Sequence, residues 1–244
     1  MRETQAIIER VSRANDTHQH VHLTVDESLT QLRAGQSLLA RTTQTWDPYL
    51  REQWWPVSVS SGGIVVEQPA TARVEPGQVV SLFGVIGQPY RYRRTLRNVL
   101  LIAHNTAPTP LIMAIPQLLS NTVSVTLLLL GAAKDYGTQH LPAELEIIQG
   151  EDDLQWPGRV TTVGWADQVF AVVDDDDELA HFAALWALFR ELRADIPANY
   201  LFGVFRPALP CGIGACGSCI IRTKGDQTLV CGSGPAIDLT TVSL

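Results

Sequence analysis

Pro210-Cys211-Gly212-Ile213-Gly214-Ala215-Cys216-Gly217-Ser218-Cys219, closed by Cys231, holds every cysteine of the 244-residue chain within 21 positions. The spacing is C-x4-C-x2-C-x11-C. Four thiols gathered this closely read as one centre, with a short loop supplying three and a neighbouring segment the fourth. Gly212, Gly214 and Gly217 let the loop turn tightly and reach φ > 0 where a Cβ would clash. Their N–H groups are then free to point inward at sulfur.

The first three cysteines match the ligand spacing of a plant-type [2Fe–2S] cluster. A four-cysteine zinc site typically uses two C-x2-C pairs. Here only Cys216 and Cys219 form such a pair, and Cys231 stands alone. A disulfide framework suits a small secreted domain, whereas this chain is long and shows no signal peptide. The residues favour a [2Fe–2S] cluster on Cys211, Cys216, Cys219 and Cys231, with zinc as the rival.

A net charge of −7 argues against a nucleic-acid partner, since phosphate binding needs clustered cations. The run Arg91-Tyr92-Arg93-Arg94 is too local to change that. No stretch reaches the ~18 apolar residues of a membrane span, and no membrane partner is expected. Without a targeting segment the expected compartment is a reducing cytoplasm, where thiols stay free to hold metal.

The first ~95 residues carry the alternation and turn signals of antiparallel strands. Strands are predicted at 5–12, at 21–25, and at Ser37–Arg41, Pro56–Ser60, Ile64–Glu67 and Val79–Phe83, which together suggest a small barrel. On the second, Val21, Leu23 and Val25 face one side and His18, His20 and His22 the other. That histidine stripe is read as a solvated face, because no carboxylate is apparent nearby. From Asn98 the texture changes to continuous apolar runs, Val99–Ala103 and Ser124–Leu130, as in buried parallel strands. Shorter strands are predicted at Leu145–Ile148 and Gln168–Val173, and helices at Pro110–Leu119 and Leu179–Leu192. Alternating strands and helices indicate an α/β unit with a mainly parallel sheet. The expected division is a β-barrel (1–96), a nucleotide-binding-like α/β domain (97–196) and a cluster-binding segment (197–244).

This order and the cysteine motif resemble the electron-transfer subunit of the class B dihydroorotate dehydrogenases, within the ferredoxin–NADP reductase-like group. The most specific residues are Cys211 to Cys216, Cys219 and Val230-Cys231-Gly232-Ser233-Gly234-Pro235. Weaker echoes lie at Ala34-Gly35-Gln36, Asp47-Pro48-Tyr49-Leu50-Arg51, Gly84-Val85-Ile86-Gly87 and Ala166-Asp167-Gln168-Val169. The resemblance implies FAD and a [2Fe–2S] cluster passing electrons between a nicotinamide cofactor and a partner flavoprotein.

The flavin and nicotinamide positions depart from that pattern. The family's Arg-Pro-x-Ser step reads Trp55-Pro56-Val57-Ser58 here, keeping Ser58 as a residual flavin contact but losing the guanidinium. Losing such a charge-assisted contact removes about 1.5–3 kcal/mol. Arg51, four residues upstream, is a candidate substitute, while Trp54 and Trp55 either fill the vacated cavity or pack in the barrel core. The later Gly-Thr falls near Gln68-Pro69-Ala70-Thr71, where proline removes a donor. The glycine-rich turn after the first buried strand reads Ala103-His104-Asn105-Thr106-Ala107-Pro108. Five acidic residues, Asp174 to Glu178, follow a later strand, with Asp177 as a helix N-cap. They would repel a dinucleotide, so NAD(P)H is not expected and FAD is an alternative.

The expected function is a [2Fe–2S] electron-transfer subunit serving a flavin-containing dehydrogenase in a hetero-oligomer, not a self-sufficient enzyme. One alternative is a non-redox accessory or assembly subunit stapled by metal. The other is the complete FAD/[2Fe–2S] subunit that oxidises NADH.

Overall fold

Seven strands open the chain: β1 (Arg2–Arg13), β2 (His18–Thr24), β3 (Ser37–Arg41), β4 (Glu52–Trp54), β5 (Pro56–Val59), β6 (Gly63–Pro69) and β7 (Val79–Ile86). The structure, a computed structural model, describes residues 2–43, 45 and 48–244. Asp47 of the Asp47–Arg51 echo lies outside the described residues. The strands pair antiparallel in the order β4-β3-β7-β1-β2-β6-β5 and curl into a nearly closed barrel. Alternation drives this closure. Ile8, Val21, Leu23, Leu38, Ile64, Val66, Val80 and Leu82 all point inward and are buried.

The chain then forms β8 (Asn98–His104), α1 (Thr109–Ile112), α2 (Ala114–Ser120), β9 (Ser124–Leu130), β10 (Glu146–Gly150), α3 (Arg159–Trp165), β11 (Gln168–Val173), α4 (Glu178–Leu192) and β12 (Leu201–Val204). These strands make a parallel sheet in the order β10-β9-β8-β11-β12. Every residue of β11 and all but Asn98 of β8 are buried, because helices or the barrel cover both faces. The topology reverses between β8 and β11, the place where open α/β sheets bind ligands.

The C-terminal segment is not a free appendage. It contributes the hairpin β13 (Ile220–Thr223) and β14 (Asp226–Leu229), the single turn α5 (Val230–Ser233), and β15 (Ala236–Asp238). β15 pairs antiparallel with β12, so the large sheet has six strands and runs past residue 196. One sheet face shares its core with Val230, Cys231 and Cys219 and with Leu39 and Ile86 of the barrel. The other face packs against Trp55, Val57 and Tyr90.

Gly35 marks a join between barrel and sheet. It sits at φ +93°, and a Cβ there would lie 2.6 Å from the Tyr90 ring. The Tyr90 hydroxyl in turn donates to the Pro110 carbonyl at 2.9 Å. The echo at Ala166–Val169 holds the linker, with Asp167 accepting from the N–H groups of Arg97 and Asn98.

Candidate metal centre

The x11 interval between Cys219 and Cys231 is the hairpin β13–β14 with its flanking residues. Ile220 pairs with Leu229 and Thr223 with Asp226, leaving the two-residue turn Lys224-Gly225. Closing that register returns the chain to its start, where the Val230 N–H donates to the Cys219 carbonyl at 3.0 Å. The two cysteines distant in sequence thereby become neighbours. The barrel fixes their position, since the Gly87 N–H donates to the Cys231 carbonyl at 3.0 Å.

The loop 210–219, which carries Cys219, also supplies the other two thiols. Gly212 takes φ +64°, and a Cβ there would lie 2.8 Å from Ile86 Cδ1 and 3.0 Å from Leu39 Cδ1. Glycine therefore serves both the turn and the close approach to the barrel.

All four thiols are free. They group two and two: Cys211 with Cys216, and Cys219 with Cys231. Backbone N–H groups of Ile213, Cys216 and Ala215, with the Cys216 thiol, pull the Cys211 thiol down to about 6. Burial and the neighbouring Cys219 push Cys231 up to about 11, against the pull of the Gly214 N–H. Two pairs of sulfurs facing inward amides fit a two-iron cluster, which takes two thiolates on each iron. Cys219 and Cys231 are buried in the apolar core, Cys216 is exposed, and Cys211 lies between. Proton release on metal loading follows, because ligands bind as thiolates.

The expected flavin position looks different. Ser58 is exposed on a groove of about 370 Å³ between barrel and sheet. Arg51, the candidate substitute guanidinium, is instead held by Glu3 at 2.6 Å and by the Ser81 carbonyl at 3.0 Å. Trp54 belongs to the barrel core and Trp55 to the core shared with the sheet. The buried Glu67 carboxylate accepts from Thr109 at the start of α1. These residues do not fit a flavin held in the family's manner.

At the reversal point, His104 Nε2 lies 2.9 Å from the Asp152 carbonyl, and the acidic run begins one residue after β11. Asp177 caps α4 as expected, accepting from the Ala180 N–H. Glu178, the last residue of the acidic run, is largely enclosed: its side chain is 11% exposed and accepts from the Arg206 N–H at 2.8 Å. The Arg206 guanidinium also donates to the Val173 carbonyl.

Burial raises the Glu178 carboxyl from 4.5 to about 7 despite Arg206. A carboxyl raised in the folded state stabilises that state in acid. The contribution is full below the unfolded value and is lost as pH climbs through the folded one, a swing of about 2–3 kcal/mol. Denaturant midpoints of wild type and Glu178→Gln should diverge progressively between these two pH values. Parallel pH profiles would contradict this.

The histidine stripe is a correction. His20 does not face open water: it lines the groove beside Ser58, as His22 does, and stands opposite Glu67 in the β2–β6 register. The carboxylate lies 47 positions away in sequence, so only the strand pairing reveals it.

Residues 207–243 match the family model of the iron–sulfur cluster binding domain of dihydroorotate dehydrogenase B. No curated protein sequence matches the chain. Among solved structures, one of an NADH-dependent reduced ferredoxin–NADP oxidoreductase, studied for flavin-based electron bifurcation, is 15% identical with a TM-score of 0.73. That match covers 97% of this chain and 89% of the other. The FAD/NAD-binding domain of Vibrio cholerae O1 biovar El Tor nitric oxide dioxygenase is 13% identical with a TM-score of 0.61, covering 82% and 98%. The cytochrome b5 reductase domain of Ulva prolifera nitrate reductase is 11% identical with a TM-score of 0.58, covering 82% and 96%. No helix among the described residues is long and apolar enough to cross a membrane. The chain thus has the ferredoxin–NADP reductase-like fold, and its C-terminal segment is similar to the iron–sulfur cluster binding domain of dihydroorotate dehydrogenase B.

Proposed function

We propose that the chain is an electron-transfer subunit in which Cys211, Cys216, Cys219 and Cys231 hold a [2Fe–2S] cluster. The observation that carries this is the two-and-two grouping of the thiols around inward amides, in the segment that matches the iron–sulfur family. When bound, the cluster supplies a one-electron couple.

The protein's residues do the rest. Amides of Ile213, Ala215, Cys216 and Gly214 stabilise sulfur charge, and hydrogen bonds of this kind tune the potential. The core around Cys219 and Cys231 keeps water from one side. Cys216 and the 57%-exposed Ile213 leave the opposite rim open, which suits docking of a flavin-containing oxidoreductase partner. The barrel and α/β unit serve as scaffold, since the acidic run opposes a polyanionic dinucleotide and Trp55 is packed in the core shared with the sheet.

Anaerobic reductive titration followed by electron paramagnetic resonance tests the proposal. The expected result is uptake of one electron per chain, reversed by oxidant, with excess NADH leaving the centre oxidised. A metal centre silent to dithionite would favour the accessory-subunit reading.

A further inference from the structure

Beside the groove at Ser58, His20, Glu67 and His140 place ligand atoms within 4.8 Å of one another. His20 Nε2 is 3.4 Å from Glu67 Oε2, and His140 Nε2 is 3.8 Å from the same oxygen. We propose that this trio is a site for a divalent first-row transition metal of the zinc type, joining the barrel to the α/β unit.

Distances support the assignment. Metal bonds of about 2.0–2.2 Å to nitrogen and oxygen give tetrahedral ligand edges of about 3.3–3.6 Å; the two edges to Glu67, 3.4 and 3.8 Å, lie in or close to that range, and the imidazole–imidazole edge is within 4.8 Å. Two imidazoles and one carboxylate suit zinc and its neighbours over the hard cations magnesium and calcium.

Charge supports it too. The Glu67 side chain is wholly buried. Hydrogen bonds from Thr109 and Tyr136 hold its two oxygens in place. Among the described residues only histidines lie within ion-pair distance of it. His140 Nδ1 is buried without a hydrogen bond, and its Nε2 lies 3.1 Å from the Tyr136 hydroxyl. His20 Nε2 is buried without a well-formed hydrogen bond. A divalent ion would offset the enclosed charge.

The surroundings orient these groups as outer-shell partners do. The Tyr136 hydroxyl donates to Glu67 Oε2 at 2.8 Å, and Thr109 Oγ1 donates to Oε1 at 2.5 Å. Asn15 Nδ2 donates to the Gly137 carbonyl at 2.9 Å, tying the His140 loop to the barrel. His20 and His140 also line the groove, which gives an ion access.

The test uses the cluster-loaded chain, treated briefly with chelator, given one equivalent of Zn2+ and desalted. One zinc per chain should remain with iron unchanged. The zinc-edge X-ray absorption should show nitrogen and oxygen neighbours at about 2.0–2.2 Å and no sulfur at about 2.3 Å. In His140→Ala and Glu67→Gln, zinc affinity should fall at least about tenfold, with iron content reporting that each variant is folded. Failure to retain zinc, a sulfur shell, or retention unchanged in both variants would overturn the proposal.

Discussion

Replacing Cys231 by serine should empty the iron centre, with iron per chain falling about tenfold or more and the visible absorption lost. Cys231 is the one ligand outside the loop, buried at 1% exposure and seated by the Gly87 N–H. Its thiol faces Cys219, so the substitution leaves half of the site with a single sulfur. A serine hydroxyl is a far poorer thiolate substitute for iron. The hairpin β13–β14 should then exchange its amide hydrogens faster, since the metal ties both of its ends. Unchanged iron content in Cys231→Ser would mean that another residue completes the site.

Phe205→Ala should lower stability by about 3–5 kcal/mol, or roughly 6–20 °C in melting temperature for a chain of this size. Phe205 is fully buried, with its ring 4.6 Å from that of Phe182 on α4. Its N–H donates to the Pro235 carbonyl at 3.0 Å, joining the start and end of the cluster segment. The void would lie beneath that segment but away from the thiols. At low temperature iron per folded chain should therefore match wild type. A loss below about 1 kcal/mol would contradict a core shared by sheet and cluster segment.

The sequence marks the parallel strands well, because Val99–Ala103, Leu127–Leu130 and Val169–Val173 are buried on both faces and read as unbroken apolar runs. Barrel strands were legible through alternation, and Ser37–Arg41 matches its element end to end. The hairpin β13–β14 was not, because its eight strand residues, all exposed or half-exposed, carry no apolar run. Nor was β15, whose three residues depend on the edge of β12 for definition. The metal-ligand spacing needed no tertiary information, since three thiols lie on one loop. Arg51 and the histidines show the opposite case. Arg51 belongs to Glu3, 48 positions earlier, and His20 belongs to Glu67 and His140. Partners so distant in sequence are set by strand register and by the seating of the barrel on the sheet. Local spacing carries none of that.

The most direct measurement is the metal and flavin content of the chain purified without oxygen, read beside its absorption spectrum. The account predicts two irons per chain, charge-transfer bands that bleach on reduction, and no stoichiometric flavin. Zinc in place of iron at the four cysteines would contradict it.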